Sequence, residues 1–349
     1  MSISGKSTLA GLVAGAVAAF GTAGVPSAHA AYFAGKTMKI VIPFGFGGTY
    51  GKYARVFADH LPAHLPGTPN IIVQEMPGAG GVKAMNFAYN VMPKDGLSLL
   101  EPIDTCVIVQ LMQADKVKYD VRRFTWLGSS NQTNNVMVIR TDAPGHSVEA
   151  LMKGANAIMG STGPGSDGTI FPRLAAGLLG FSGMKVISGY KGSAASMLAI
   201  EQGEVHGAAY NWLAWSSSVP HWFSGDKPVA MPFLQAGLEP DPDLPDVPLL
   251  GRLVAAADKP LVDFVSTNGT LGRGLVVPPG APQAVIAMLR TAYDAMNADP
   301  AFKAGLDKLK LRLVAKDGKT IQEVVDKAID GARPEIVERA NVLIYGAKG

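Results

Sequence analysis

The strongest constraint on this chain is a unit that recurs along it: a short β-branched segment, a glycine-rich turn and a stretch with helical periodicity. The first two units begin at Met38–Pro43 and Asn70–Gln74, and they continue into helical patterns at Tyr50–Leu61 and Lys83–Val91. Short β-branched runs bounded by Pro or Gly indicate buried strands, and apolar residues spaced three to four apart indicate helices. This alternation is typical of an α/β protein with a largely parallel sheet.

A second series of the same units lies inside the first. Its strands and helices are predicted at Val136–Arg140, Ala157–Met159, Thr169–Leu179, Lys185–Ser188, Ser196–Gln202 and Val205–Tyr210. The Pro- and Asp-rich stretch Glu239–Pro248 has the composition of a surface loop, and Leu275–Pro279 predicts a strand that returns to the first series. We therefore expect two Rossmann-like α/β lobes, one formed by residues 31–138 and 252–349 and the other by 139–251.

Four glycine-rich loops follow predicted strands, and we number them in chain order. They are the first loop Phe44–Thr49, the second loop Met76–Gly81, the third loop Gly160–Gly168 and the fourth loop Gly189–Gly192. Ligands of open α/β sheets bind beyond the carboxyl ends of the strands, so a cleft between two lobes would gather all four loops. A glycine turn that leads into a helix leaves backbone N–H groups free and favours an anion. The third and fourth loops add the hydroxyl, phenol and ammonium groups of Ser161, Thr162, Ser166, Thr169, Tyr190 and Lys191. The pattern predicts a site for a small, negatively charged ligand.

The first thirty residues have the pattern of an export signal. Lys6 is followed by the uncharged apolar run Leu9–Phe20, and Ala28–Ala30 provides the small-x-small pattern before a cleavage site. The alternative is a retained membrane anchor, but the apolar run is shorter than the roughly 20 residues that a spanning helix needs. We expect cleavage after Ala30 and a periplasmic protein.

Composition excludes several classes of protein. With 48% hydrophobic and 17% charged residues, the chain is neither disordered nor a coiled coil. The net charge of +3 includes no dense basic run, so nucleic acid is not an expected partner. A single cysteine, Cys106, allows neither an intramolecular disulfide nor a cysteine-based metal cluster. No GxSxG or HExxH motif is present, and we predict no catalytic residue, no metal site and no cofactor.

One motif favours an alternative function. Gly163–Gly168 matches GxGxxG between a predicted strand and a predicted helix, which suggests an exported cofactor-dependent enzyme that holds a phosphate group in this loop. A dinucleotide site also needs an acidic residue about 20 positions further on. The next strand instead runs into Ser188–Lys191 without an acid, so we favour a binding protein over an enzyme.

Short motifs in a fixed order then point to a family. They are Ile42–Phe44, Gly47-Gly48, Ala54-Arg55, Pro77–Gly81, Pro93–Gly96, Tyr119-Asp120, Gly160–Ser166, Gly189–Gly192, Gly203–Val205, Leu244–Pro248 and Pro278–Pro282. Together they make the chain resemble the tripartite tricarboxylate transporter receptor family, the Bug-type extracytoplasmic solute receptors. The resemblance extends over nearly all of the chain after the export signal.

The resemblance implies a type II periplasmic binding-protein fold, in which two lobes close on a ligand in the cleft between them. It implies a receptor that captures a small organic acid and delivers it to the permease subunits of a tripartite tricarboxylate-type transporter. We also expect a monomer, and the sequence leaves open that the loaded receptor signals to a membrane sensor instead. The positions that correspond to ligand-binding residues are Phe44, Gly47, Gly48, Thr49, Ala79, Gly80, Ser161, Thr162, Gly165, Ser166, Tyr190, Lys191 and Gly192, and we add Tyr50 and Asn211 as candidates.

The chain also departs from the family pattern. Many members carry an Asp shortly after the first glycine loop, where this chain has Gly51, and the histidine usual after the serine of the third loop is missing. We therefore expect a pocket less like that of amino-dicarboxylate binders. Phe46 and Tyr50 would make it more aromatic and Lys52 more basic, unless these residues lie on the surface.

Overall fold

The computed structural model describes residues 32–346 and the single residue Met1. Apart from Met1, the predicted export signal and its cleavage site after Ala30 lie outside the described residues. Within 32–346, no helix has the length and hydropathy that crossing a bilayer requires.

Residues 32–346 form eleven strands and fourteen α-helices. The strands are β1 Thr37–Ile42, β2 Asn70–Glu75, β3 Ser98–Leu100, β4 Thr125–Ser129, β5 Asn135–Arg140, β6 Ala157–Ser161, β7 Met184–Ser188, β8 Gly207–Asn211, β9 Ala230–Ala236, β10 Gly274–Val277 and β11 Lys316–Asp317. The helices are α1 Thr49–His60, α2 Val82–Asn90, α3 Cys106–Met112, α4 Val148–Met152, α5 Asp167–Leu179, α6 Ser193–Glu201, α7 Trp212–Ser218, α8 Leu250–Leu253, α9 Lys259–Ser266, α10 Asn268–Leu271, α11 Gln283–Ala298, α12 Pro300–Lys308, α13 Gly318–Asp330 and α14 Pro334–Tyr345.

The strands form two separate mixed sheets. The first sheet has the order β11-β4-β10-β3-β1-β2, and the second has the order β7-β6-β8-β5-β9. Within them, β1 pairs in parallel with β2 and β3, and β6 pairs in parallel with β7 and β8. The strands next to the crossings between sheets, β4, β5, β9 and β10, make antiparallel pairs instead. The sequence predicted the parallel pairs through their crossover helices, whereas the antiparallel strands arise from the long-range return of the chain.

Each sheet is covered on both faces by apolar side chains. In β1, Val41 packs on one face while Ile40 and Ile42 pack on the other, and in β5 Met137 and Val138 likewise belong to different clusters. Successive strand residues point to opposite faces, so a continuous β-branched run is what a sheet between two helical layers requires. The observed α/β architecture with two lobes confirms the predicted fold class.

The chain crosses between the sheets twice, at 130–134 and at 237–273. Since Asn135–Arg140 already pairs in the second sheet, the first crossing lies a few residues before the predicted lobe boundary at 138. The C-terminal helix α14 packs against α3 of the first lobe and also against α5 of the second. The lobe boundaries at 138 and 251 stay predictions, and we call the unit around the first sheet lobe 1 and the unit around the second sheet lobe 2.

Candidate functional site

A pocket lies between the two lobes, and its empty volume of about 460 Å³ includes space that is open to solvent. Its lining comes from residues far apart in the sequence: Phe44, Gly48, Thr49, Tyr50, Asp104, Asn135, Thr162, Ser166, Asp167, Gly168, Ser193, Tyr210, Asn211, Ala214 and Arg273. Carboxyl ends of strands in both sheets lead into these loops, which is the place where open α/β sheets bind ligands. The predicted cleft between the lobes is present.

The four glycine loops meet in pairs across the cleft. The backbone N–H of Gly45 in the first loop donates to the carbonyl of Lys191 in the fourth loop at 3.0 Å. The second loop touches the third, since a Cβ on Gly80 would lie 2.5 Å from the backbone nitrogen of Ser166. Thr105 of lobe 1, outside these loops, also donates from Oγ1 to the Gly165 carbonyl of the third loop at 2.6 Å. These contacts join the lobes, so the structure represents the closed form.

Three helices begin at the cavity. The first residues of α1, α5 and α6 are Thr49, Asp167 and Ser193, and all three line it. In none of the three helices does the side chain of the N-cap residue accept a hydrogen bond from an N–H group of the first turn. The first N–H groups of a helix have no acceptor inside the helix, and the helix dipole places positive potential there. Both lobes therefore direct unsatisfied donors at one pocket.

The wall from lobe 1 contains a buried ion pair. Arg273, 3% exposed, donates from Nη1 to Asp104 Oδ2 at 2.8 Å and from Nε to Thr49 Oγ1 at 3.3 Å. The guanidinium also lies 3.8 Å from the ring centroid of Tyr50, and the Tyr50 hydroxyl accepts the backbone N–H of Asp104 at 3.1 Å. Burial opposes the charged form of Arg273, but nearby Tyr50, Asp104 and Glu101 raise its pKa above the ordinary value. The arginine thus stays charged.

Two further acidic residues, Asp167 and Glu101, lie near the Arg273–Asp104 ion pair. Asp167 of lobe 2 accepts a hydrogen bond from Asn268 Nδ2 at 3.0 Å and also lies within hydrogen-bonding reach of Asp104. Burial first, and then the charge of Asp104, raise the pKa of Asp167 well above its usual range. Glu101 is fully buried, neither carboxyl oxygen has a partner among the described residues, and burial raises its pKa well above the usual range. Both Asp167 and Glu101 are therefore held toward the neutral form.

Lobe 2 contributes polar groups that lack partners. The hydroxyl of Thr162 and the side-chain oxygen of Asn135 are buried and have no hydrogen-bond partner within residues 32–346. Both residues line the cavity. Leaving a buried polar group unpaired costs about 1–3 kcal/mol, so these groups are suited to partners that a ligand supplies.

The predicted site residues fall into three groups. Those that line the cavity are Phe44, Gly48, Thr49, Tyr50, Thr162, Ser166 and Asn211. Those at the contacts between loops or between a loop and α6 are Gly47, Ala79, Gly80, Gly165 and Gly192. Those outside the lining are Ser161, Tyr190 and Lys191, for which the structure shows other roles.

These other roles follow from the contacts of each side chain. The Ser161 hydroxyl lies behind the third loop, where it contacts Thr169 Oγ1 at 2.6 Å and accepts the Gly163 N–H at 3.1 Å. The Tyr190 hydroxyl donates to Glu204 at 2.6 Å, and the side chain of Lys191 is exposed. No ligand contact of any of the fifteen candidates is tested by this geometry, and the set stays a prediction.

Sequence reasoning missed Asp104, Asp167, Arg273 and Asn135 as site residues. Two signals were present. Arg273 stands alone between two glycines just before an apolar strand, and Asp104 follows Glu101 in an otherwise apolar stretch. A charge in a segment that must be buried needs a partner, but the sequence does not show which residue provides it.

Three residues in or just after the first loop, Phe46, Tyr50 and Lys52, were predicted to change the character of the pocket, and they lie in different places. Tyr50 lines the cavity, so it is not a surface residue. Phe46 and Lys52 do not line it: Phe46 lies below the guanidinium of Arg55, and Lys52 Nζ reaches across to Ser217 Oγ and Ser218 Oγ at 2.9 Å each. Lys52 therefore joins the lobes and does not make the pocket more basic.

Gly163 and Gly165 of the third loop do not line the cavity. Gly163 and Gly165 pack against the backbone of Ala79 and Gly80, so the glycines of the GxGxxG pattern allow two loops to approach closely. Among the described residues no three His, Cys, Asp or Glu side chains are arranged to hold a metal ion.

Comparisons with known proteins agree with this geometry. A UPF0065 protein of Bordetella pertussis is 25% identical over 281 residues, which cover 79% of this chain and 81% of that protein. The structure of the periplasmic binding protein BugD is similar with a TM-score of 0.70 at 20% identity, covering 88% of this chain and 98% of that one. The structure of MatC from Rhodopseudomonas palustris with bound malate gives a TM-score of 0.66 at 19% identity, covering 86% and 99%. These likenesses confirm the type II periplasmic binding-protein fold.

The family model of the tripartite tricarboxylate transporter family receptor matches residues 53–341. Members of this family are periplasmic solute-binding receptors and not enzymes, so the alternative of a cofactor-dependent enzyme at Gly163–Gly168 is wrong. The two-lobed fold, the closed cavity between the lobes and this match together show that the chain belongs to the tripartite tricarboxylate transporter receptor family.

Proposed function

We propose that this receptor captures a small organic acid in the cavity between its lobes and delivers it to the permease subunits of a tripartite tricarboxylate-type transporter. The observation that carries the proposal is the convergence of three uncapped helix N-termini, those of α1, α5 and α6, on one pocket between the lobes. Backbone N–H groups at helix N-termini bind carboxylates because the donors and the helix dipole act together.

Side chains reinforce this preference. The Tyr50 hydroxyl accepts the N–H of Asp104, which leaves its own proton for a ligand oxygen. Burial raises the pKa of Tyr50 well above its ordinary value, so the phenol stays a donor. The hydroxyl of Thr162 offers a further donor from lobe 2. MatC, which has the same fold, binds malate, and this supports a small carboxylate as the ligand here.

Capture depends on closure of the lobes. Ligand contacts with Thr49 from lobe 1 and Ser193 from lobe 2 exist together only when the cleft is closed, so a ligand favours the closed form. The loop pairs at Gly45–Lys191 and Gly80–Ser166 then cover the cavity. We further propose a monomer that is exported to the periplasm and cleaved after Ala30.

The test is a thermal-shift screen of the exported form against malate, succinate, citrate and benzoate, with a nucleotide and a sugar as comparison ligands. A ligand present at 100 times its Kd adds about 2.7 kcal/mol of stability, so a true ligand raises Tm measurably. If no organic acid raises Tm while the nucleotide or the sugar does, the proposed ligand class is wrong. Delivery is tested by uptake of the identified acid in cells with and without this receptor.

A further inference from the structure

The last helix, α14, covers the seam between the two lobes on the side away from the cavity lining. It packs against α3 of lobe 1 and against α5 of lobe 2. Ala340 and Ile344 of α14 are fully buried, and they belong to an apolar cluster that also contains Met112 of α3 and Leu174 of α5. The helix therefore links the lobes by packing, in addition to the two crossings of the main chain.

Hydrogen bonds attach the end of α14 to both lobes. Asn341 Nδ2 donates to the carbonyl of Met112, the last residue of α3, at 2.9 Å. From the other lobe, Arg173 Nη1 in α5 donates to the carbonyl of Ile344 at 3.0 Å. The last carbonyls of a helix have no donor inside the helix and lie at the negative end of its dipole, so an arginine there is a favourable partner. If the lobes separate, α3 and α5 move apart, and α14 cannot keep both contacts.

Tyr345, the last residue of α14, reaches the third loop. Its hydroxyl donates to the carbonyl of Pro164 at 2.8 Å. Pro164 lies between Gly163 and Gly165, which contact the second loop of lobe 1, and Ser166 lines the cavity two residues later. Tyr345 itself does not line the cavity, so it acts on the site through the backbone of the loop.

The phenol of Tyr345 also faces lobe 1. The side chain of Gln113, the residue that follows α3, lies beside it. Gln113 is 5% exposed, and its Nε2 has no hydrogen-bond partner within residues 32–346. Burial raises the pKa of Tyr345 above its ordinary value, so the phenol remains a donor. The hydroxyl thus lies between an amide of lobe 1 and a carbonyl of lobe 2.

We propose that α14 is a latch that stabilises the closed form and that Tyr345 is a positioning residue, which holds the third loop where it meets the ligand. The inference rests on the proposed function, because it adds to ligand capture a group that lies outside the cavity. The end of α14 contacts lobe 1 through Asn341 and lobe 2 through Arg173 and Tyr345. Both sets of contacts exist together only while the cleft is closed, so they favour closure with or without a ligand.

The first experiment compares the exported form with its Tyr345→Phe variant, which loses the hydroxyl and keeps the ring. Hydrogen–deuterium exchange of residues 160–168, measured without ligand, reports how firmly the third loop is held. The loss of one hydrogen bond should make exchange in this loop about threefold to tenfold faster. Tyr32→Phe is the matched control, since the Tyr32 hydroxyl donates to the Asp95 carbonyl at 2.6 Å within lobe 1. Unchanged exchange in Tyr345→Phe, or the same change in the control, overturns the positioning role.

The variant Asn341→Ala tests the latch separately. It removes the hydrogen bond to lobe 1 and leaves Tyr345 on the third loop, so exchange of that loop should stay as in the wild type. Small-angle X-ray scattering should give a larger radius of gyration, because more molecules are open. Asn90→Ala removes a similar amide bond, to the Lys118 carbonyl inside lobe 1, and should leave the scattering unchanged. Identical scattering of Asn341→Ala and the wild type overturns the latch.

Calorimetry with malate, succinate, citrate and benzoate separates this inference from the proposed function. Tyr345→Phe should bind any of these acids that the wild type binds about threefold to tenfold more weakly, although Tyr345 touches no ligand. Equal affinity overturns the inference and leaves the carboxylate receptor intact. Failure of all four acids to bind the wild type contradicts the proposed function, whereas exchange and scattering need no ligand and still decide the role of α14.

Discussion

The two walls of the cavity are built differently. In lobe 1, Arg273, Asp104 and Thr49 satisfy one another, so the polar side chains of this ion pair have partners without a ligand. In lobe 2, Thr162 and Asn135 present buried polar atoms that have no partner among the described residues. The comparison indicates that the side chains of lobe 1 are preorganised. Lobe 2 completes its hydrogen bonds only when a ligand is bound.

The largest effect is expected in lobe 1, from Arg273→Leu. Removing the guanidinium leaves Asp104 as a buried charge without a partner, which costs about 3–5 kcal/mol. Urea unfolding of the empty protein measures this loss. Arg273→Lys keeps the charge but not the planar fork and is expected to lose less. A loss below about 1 kcal/mol for Arg273→Leu would show that the pair does not hold lobe 1 together.

A second test concerns the contact between the lobes. Gly80 has a φ of +66°, and a Cβ there would meet the backbone nitrogen of Ser166 at 2.5 Å. Gly80→Ala should therefore weaken ligand binding about tenfold or more, equivalent to about 1.4 kcal/mol, because it obstructs closure.

Gly180→Ala is the matched control for this substitution. Gly180 has a φ of +72° and no neighbouring atom within 4 Å of the added Cβ. Both variants carry the strain of a left-handed alanine, about 1–2 kcal/mol. Only Gly80→Ala should lose affinity, and an equal loss in the control would contradict the assignment of this contact to closure.

The two threonines test the comparison of the walls directly. Thr49→Val removes the acceptor of Arg273, so the empty protein should lose about 1–3 kcal/mol of stability. Thr162→Val removes a hydroxyl without a partner, so the stability of the empty protein should stay the same or rise, while affinity falls by about 1 kcal/mol, roughly fivefold. Urea unfolding and calorimetry on both variants check this. A loss of stability in Thr162→Val equal to that in Thr49→Val would remove the difference between the walls.

The smallest effect is expected at Lys52. Its ammonium joins α1 to the end of α7 through the hydroxyls of Ser217 and Ser218, and it stabilises the closed form only. Lys52→Met should lower affinity by about 0.5–1 kcal/mol, a few-fold, with little change in unfolding. Lys185→Met, at an exposed position of β7, is the control and should change neither quantity.

Local patterns in the sequence predict much of this structure. The segments Met38–Pro43 and Tyr50–Leu61 were predicted from β-branching and helical spacing, and the structure has β1 and α1 within a residue of them. The four loops were predicted from glycine alone, because a turn between strand and helix has a local signature.

The charged part of the site has no such signature. Arg273 meets Thr49 across 224 positions and Asp104 across 169. These pairs depend on β10 entering the first sheet between β3 and β4, which only the complete fold determines. For Ser161, by contrast, a clear local signature gave a different role. Its position in a loop motif predicted a ligand contact, but its hydroxyl hydrogen-bonds to Thr169 and to the Gly163 N–H within the third loop.

Binding of one carboxylate by backbone N–H groups from both lobes can be seen in a crystal structure of the exported form with the acid that gives the largest Tm increase. We expect a carboxylate in the cavity that accepts hydrogen bonds from the first turn of α1 and from the first turn of α5 or α6. An acid bound outside the cavity, or held by one lobe alone with the first turns of the other lobe's helices uninvolved, would contradict it.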